Sequence, residues 1–407
     1  MNKKVCMLLH EVYPDDIRVS KETKSLIKSG FEIHILCLNR KNESAEEIVN
    51  GIHVHRIPIA QTFFWRGIWD ILLAISFVQP VFLRRLKALH KKENFALFHV
   101  HDLPLAKTAV LAAKKSSNVK VVLDLHENYP EALKVWFQWK RNPLIRLKNS
   151  VFFGFERWLN YEKTACHEAD HLIVVVEEMS DRLVALHKLP QSKITVVTNS
   201  EGQSFLDQER ITNIYDRASE DFILAYTGGV GPHRGVDVAI EGLGLTKSKN
   251  IRLEITGSLS ADSKEWLTNL ATKHKVLDRV RINGYQPFHK FFSYMALADV
   301  NLIPHNRNGH TDHTIPHKLF QGMMVGKPVI VSDAPPLKRV VKATNSGLIF
   351  EAGNAQDFAK QVDLLYDNPE KAKAFGDNGN QATTKGIWNW EHTGKNLVAL
   401  YTNLIAN

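Results

Sequence analysis

Cysteine is scarce: the 407 residues contain three, Cys6, Cys37 and Cys166, far apart and with no CxxC pair. That leaves no basis for a disulfide framework or a cysteine-based zinc site, and a reducing compartment is expected. Long apolar runs are also missing. The uncharged stretch from Ile71 to Leu83 falls short of the roughly 20 residues that span a bilayer, and Pro80 interrupts it. At the start, MNKKVCMLLHEVYPDD turns polar at His10 and Glu11, too early for a signal peptide, so a cytoplasmic protein is expected. No fine-grained repeat or low-complexity tract is present. What remains is ordinary globular composition, 44% hydrophobic and 23% charged, in a chain long enough for two domains of about 200 residues. A net charge of +9 calls for an anionic partner: nucleic acid, a phosphate-bearing substrate or an anionic membrane surface. Nucleic acid fits poorly, because the basic residues are not interleaved with an aromatic stacking platform.

Short apolar runs, KVCMLLH, FEIHILCL, FALFHV, VKVVLDL, HLIVVV and ITVVT, alternate with helix-like segments through the first half. After the polar stretch from Glu201 to Glu220 the same pattern restarts with FILAYTGG, IRLEITG, RVRINGY, DVNLIP, KPVIVSD and GLIF. Continuous Val/Ile/Leu runs separated by helices predict parallel sheets covered on both faces. The expected organisation is a Rossmann-like α/β domain over 1–205, a second over 206–385, and a C-terminal helix over about 386–407 that returns to the first.

In such sheets ligands bind beyond the carboxyl ends of the strands. After FILAYT comes GGVGPHRGVDVAI, where Gly228 and Gly229 permit close backbone approach and Arg234 stands beside a helix N-terminus. It is not GxGxxG, so a nicotinamide cofactor is disfavoured. Alone, the segment reads equally as a glycine-rich connection with a surface arginine. In HTDHTIPHKLFQGMMVGKPVIVSD, Thr314 suits an N-cap, Pro316 a first turn and Gly326 a C-terminal cap, which predicts a helix over 315–325 with Lys318 in its first turn. Two cations at two helix N-termini are what a diphosphate needs. His310, His313 and His317 allow a zinc alternative, but no HExxH pattern accompanies them, and no metal is expected.

These segments resemble the retaining, nucleotide-sugar-dependent glycosyltransferases of family 4, whose GT-B fold sets two Rossmann-like domains face to face, and the resemblance runs nearly the whole length. YTGGVGPHRGVDVAI is similar to the family's phosphate segment, with Arg234 at the lysine position and Gly229 where an arginine is usual. HTIPHKLFQGMMVGKPVIVSD is similar to the signature of two glutamates eight positions apart, here His313 and Gln321. The resemblance implies that Gly228, Gly229, Arg234, Lys318, Leu319, Gln321 and Tyr285 bind the donor, with the base near Asn283 to Gln286 and Gln321 at the ribose. It implies catalytic roles for His126 and for Asp312 or His313, whichever faces the anomeric carbon. In VLDLHENYPEAL and HVHDLPLA it places Glu127, His101 and Asp102 at the acceptor, and in EVYPDDIRVSKE it adds Arg18. The implied activity is transfer of a sugar, from a UDP-sugar first and a GDP-sugar second, to an acceptor hydroxyl of a lipid-linked or cell-surface glycan precursor, with no cofactor or metal. A non-hydrolysing UDP-sugar 2-epimerase and an inactive binding protein of the same fold are the alternatives. Two segments, 62–92 and 133–158, mix Trp, Phe and basic residues and are expected to dock on an anionic membrane. The alternative is a pair of helices covering the first sheet.

Overall fold

The computed structural model describes residues 3–14, 16–40, 42–58, 63–114, 119–137 and 142–406, the side chains of 63–68, 70 and 144 excepted. The chain divides into two compact units, residues 1–198 with 393–407, and residues 199–392. The division precedes the polar stretch because Phe205 already packs with Phe292, Met295 and Met324 of the second unit.

The first unit is an eight-stranded sheet of β1 (Lys4–Leu8), β2 (Glu32–Asn39), β3 (Glu46–Val49), β4 (Ile52–Pro58), β5 (Leu97–His101), β6 (Lys120–Leu125), β7 (His171–Val174) and β8 (Ile194–Val196), in the order β3-β4-β2-β1-β5-β6-β7-β8. All neighbours run parallel except β3 and β4. That antiparallel pair turns at Asn50 and Gly51, both at positive φ (51° and 81°), the backbone a two-residue hairpin turn requires. The apolar-run reading did not anticipate this hairpin, since its strands EEIV and IHVHRIP are polar. β1, β5 and β6 are almost wholly buried, as continuous apolar runs in a parallel sheet should be.

The second unit is an all-parallel sheet of β9 (Phe222–Thr227), β10 (Ile251–Thr256), β11 (Val280–Gly284), β12 (Val300–Ile303), β13 (Val329–Ser332) and β14 (Gly347–Phe350), ordered β11-β10-β9-β12-β13-β14. Its core joins Leu224, Tyr226, Ile240, Leu253, Ile330 and Phe358 across the sheet and one covering layer of helices. The helix expected over 315–325 spans His317–Met324 instead. Proline disfavours helical backbone in the residue before it, so Ile315 stays outside the helix and Pro316 (φ −84°, ψ 146°) becomes the N-cap in place of Thr314. Gly326 takes φ +74° just beyond the end. The terminal helix Trp390–Ala406 brings Tyr401 into the first unit, fully buried with its ring edge-on to Phe31.

Candidate active site

In the second unit, β9 feeds a turn that only glycine can form at two places. Gly228 sits at φ +123° with its N–H donating to the Thr256 carbonyl at 2.8 Å. Gly235 sits at φ +67°, where a Cβ would lie 1.7 Å from the Pro304 carbonyl oxygen. Between them Arg234 ends a short 3-10 turn, Nη1 3.4 Å from His305 Nε2. Lys318, in the first turn of His317–Met324, reaches toward Gly228: its Nζ is enclosed, 3.8 Å from the Tyr226 ring centroid, and has no hydrogen-bond partner among the described residues. Neither Arg234 nor Lys318 forms an ion pair among those residues. Burial and the neighbouring Arg234 charge hold the Lys318 ammonium well below the ordinary lysine range. Burial, then Arg234, also pushes His233 and His310 down to about 3, and His305 is lowered for the same reasons. Three neutral imidazoles thus surround two cations, and both His233 ring nitrogens are buried without a hydrogen-bond partner.

The other residues expected here are placed differently. Gln321 is buried, and its Nε2 donates at 2.7 Å to Glu201 Oε2. The carboxylate that the sequence lacks at position 321 is therefore close by, supplied from the segment opening this unit. Leu319 is completely buried, so its side chain offers no surface to a ligand; this corrects its assignment as a donor contact to a packing role. Tyr285 is 76% exposed beyond β11, a free aromatic face. Asp312 is held by Arg307 through two bonds of 3.1 and 2.8 Å, so its charge is already neutralised in part. His313 Nδ1 is 2.8 Å from the Gly309 carbonyl oxygen.

In the first unit, the carboxyl ends of β5 and β6 carry a closed polar cluster. His101 lies opposite Asp124 in the β5/β6 register. Alternation then brings His99, His101, Asp124 and His126 to one side. Arg18 forks onto both oxygens of Asp124 (3.0 Å each from Nη2) and lies 2.9 Å from Glu22. Its side chain is only 3% exposed, which corrects the expectation that it reaches a ligand: it braces the cluster through Asp124 and Glu22. Asp16 is the N-cap of the helix Ile17–Lys28 that carries Arg18, accepting from the N–H groups of Arg18 and Val19. His126 Nε2 lies 3.1 Å from Asp124 Oδ2 and 3.3 Å from His101 Nδ1, and its backbone N–H donates to Asp102. Asp102 adopts φ +62°, a strained backbone for a non-glycine residue. His99 joins Asp124 to the hydroxyl of Tyr401. Glu127 follows, half-buried.

Burial opposes charge on His126, but Asp102 and Asp124 outweigh it and carry the imidazole up to about 10. Burial pushes Asp124 up while Arg18 and His126 pull it well below the carboxylate range, and burial raises Glu22 to about 8. His126 is therefore a cation and a hydrogen-bond donor at neutral pH, with 17% of its side chain exposed. Sequence reasoning missed Glu22, His99, Asp124, Tyr401 and Glu201. The i, i+2 spacing in FHVH and DLH and the i, i+4 spacing of Arg18 and Glu22 were signals for three of these partners, His99, Asp124 and Glu22.

Comparison with known proteins gives a consistent result. The Glycosyltransferase Family 4 description matches residues 19–200, and Glycosyl transferases group 1 matches residues 207–382. An uncharacterized glycosyltransferase of Methanocaldococcus jannaschii is 24% identical over 379 residues, 92% of each chain. Among solved structures, the sucrose-phosphate synthase of Thermosynechococcus elongatus superposes with a TM-score of 0.79 at 17% identity, over 99% of each chain. Anabaena HepE in complex with UDP-glucose gives 0.69 at 10% identity, over 98% of this chain and 99% of that one. With both units matched in order along the chain, this protein belongs to the family-4-like glycosyltransferases of GT-B fold.

Proposed function

We propose that the protein transfers a sugar from a nucleotide diphosphate sugar to an acceptor hydroxyl with retention of configuration, a UDP-sugar being favoured over a GDP-sugar. Lys318 carries this reading: an enclosed ammonium without a counter-charge, beside Arg234 and under a glycine turn, is costly unless an anion arrives. A diphosphate supplies that anion, and as a leaving group it gains negative charge in the transition state, where two fixed cations stabilise it most. These cations take the part a metal would otherwise play. The UDP-glucose bound by HepE supports the preference for UDP. The charged state of His126 supports retention, because an imidazolium cannot take the acceptor proton as a general base. The leaving phosphate is then the proton acceptor, and His126 is a donor to the sugar or acceptor oxygens. Asp102, His101 and Glu127 would border the acceptor.

The acceptor is read as a lipid-linked or cell-surface glycan precursor, met at an anionic membrane. No helix among the described residues is long and apolar enough to cross a membrane. Leu72, Ile75, Val81, Trp136, Leu147 and Val151, on first-unit helices within the two aromatic and basic segments, are exposed, which supports interfacial docking. Trp65's side chain, Lys140 and Arg141 lie outside the described residues. Arg85 is engaged by Glu46, so Arg84→Glu with Lys87→Glu is the charge reversal that tests docking on anionic vesicles at low salt. Unchanged vesicle binding would leave a soluble acceptor.

The deciding experiment follows nucleoside diphosphate release from a panel of sugar nucleotides, with and without a glycan acceptor, in chelator. Acceptor-dependent release is expected. Epimerisation without acceptor would favour the 2-epimerase, and binding without turnover a non-catalytic protein.

A further inference from the structure

The hairpin β3–β4 places histidines at the end of the first sheet opposite to His126. His34 of β2 lies beside His53 of β4 in the parallel register, and His55 of β4 faces Glu46 of β3. The three imidazoles form a ladder, with His34 stacked on His53 (centroids 4.5 Å, 12°) and on His55 (5.3 Å, 6°). Carboxylates stand at both ends: Glu32 Oε1 is 3.0 Å from His34 Nε2, and Glu46 Oε1 is 3.6 Å from His55 Nδ1. Rings this close cannot all be protonated without strong repulsion, so the ladder offers lone pairs.

We infer that Glu32, His34 and His53 form a binding site for a borderline first-row divalent cation, zinc foremost, that pins β2 to β4. One ligand atom from each lies within 4.8 Å of the other two. Zinc bonds of about 2.0–2.1 Å to nitrogen and oxygen set tetrahedral ligand atoms roughly 3.3 Å apart, so the Glu32–His34 pair needs little adjustment, while His53, whose lone pairs lie in a plane parallel to the His34 ring, must turn out of its stack to reach the same ion. Two imidazoles and one carboxylate favour zinc, cobalt or nickel over magnesium or calcium, which prefer oxygen alone. His34 is oriented for this role. Its Nδ1 is 3.1 Å from His55 Nε2, with Glu46 beyond, the outer support that metal-ligating histidines require, and the edge of Phe95 packs on its ring at 5.0 Å. His53 is half-buried and the Glu32 side chain 43% exposed, which gives an ion a way in.

Lys4 competes, with Nζ 3.0 Å from the same Glu32 oxygen. It also holds Glu93 at 2.8 Å and keeps that partner when a cation takes Glu32. The site lies near the amino ends of β2 and β4, whereas His101 and His126 lie at the carboxyl ends of β5 and β6. Among the described residues the other group with ligand spacing, Glu22, His99, His101 and Asp124, is already occupied by Arg18. The three cysteines are buried and do not compete.

The test is titration of metal-free, tag-free full-length protein with zinc by calorimetry, and with cobalt by visible absorption. One equivalent is expected to bind with micromolar or tighter affinity, cobalt showing tetrahedral bands. His53→Ala and Glu32→Gln should each weaken zinc binding by about a hundredfold, and His55→Ala by about tenfold through its hold on His34. Lys4→Gln should strengthen it. Both ligand variants alter partly exposed side chains, and circular dichroism checks their fold; should His53→Ala unfold, Glu32→Gln decides. No zinc uptake by the folded wild type, or equal uptake by the folded ligand variants, overturns the site.

Discussion

The polar clusters at the strand ends of the two units are built on opposite electrostatic plans. In the first, Arg18 and His126 face Asp124, Glu22 and Asp102, so every charge has an opposite partner within the protein. In the second, Lys318 and Arg234 face neutral histidines and glycine backbone, and no described carboxylate pairs with either cation. A paired cluster is complete before any ligand comes; it holds His126 in one place and one charge state. An unpaired cationic cluster is incomplete, and its missing part is an anion. On the proposed function, preorganisation belongs to the first unit's cluster and affinity for a diphosphate to the second unit's.

The largest effect should follow from unpairing the paired side. Asp124→Asn leaves the buried Arg18 with Glu22 as its remaining carboxylate and takes an acid from His126, and breaking a buried pair from one side typically costs up to about 3–5 kcal/mol. Denaturant unfolding should show that loss, together with a drop of the His126 pKa seen by NMR. An intact His126 titration in this variant would mean that Asp102 alone sustains the charge.

Next in size is Lys318→Ala, which should lower turnover by about a hundredfold or more, as when one charge-stabilising donor is removed. Steady-state diphosphate release measures it. Wild-type turnover in a folded variant would dissolve the contrast between the units.

Gln321→Glu tests how completely the second unit excludes paired acids. The new carboxylate would stand where Gln321 Nε2 now donates to Glu201 Oε2 at 2.7 Å, turning a hydrogen bond into a buried like-charge contact. Restoring the family's residue should therefore cost about 1–3 kcal/mol of stability by denaturant melts, recovered as pH falls and one acid takes a proton. Glu201→Gln in the same chain should relieve it.

Parts of this picture were legible in the sequence, and the limit is physical. Strands such as VKVVLDL and KPVIVSD were readable because burial on both faces leaves a continuous apolar run. β3 and β4 lie at one edge of the sheet, carry Glu46, Glu47, His53 and His55, and announce themselves only through Asn50-Gly51. Lys318 was legible because Pro316 marks the helix start. Of the partners that decide the clusters, Asp124 left only the weak i, i+2 spacing to His126 inside an apolar strand, and Glu201 is a buried polar position that no local pattern separates from loop residues. Arg18 was misread because a lone arginine near a loop does not reveal that its partner is Asp124, 106 residues away in the sequence.

A smaller effect comes from pH. In the free protein Lys318 gives up its proton more readily than an ordinary lysine, because of burial and Arg234. A bound diphosphate favours the ammonium and moves its pKa upward. Between the free and bound values, binding takes up one proton, so affinity for UDP weakens as pH rises, by at most about tenfold per unit. Calorimetry in two buffers of different ionisation enthalpy reads the uptake. Lys318→Met should abolish it.

That same variant gives the smallest change and the opposite sign from Asp124→Asn. Methionine fills a similar volume over the Tyr226 ring and removes an enclosed ammonium that has no partner, so Lys318→Met should stabilise the ligand-free protein by about 1 kcal/mol. For a unit of this size that is a rise of roughly 2–4 °C in Tm. The gain should vanish when UDP is present, because only wild type is then stabilised by the ligand. A protein that gains stability and loses UDP binding through one side chain has kept that charge for the ligand. If Lys318→Met instead lowers Tm without UDP, the ammonium is satisfied within the protein, and the second cluster is no less complete than the first.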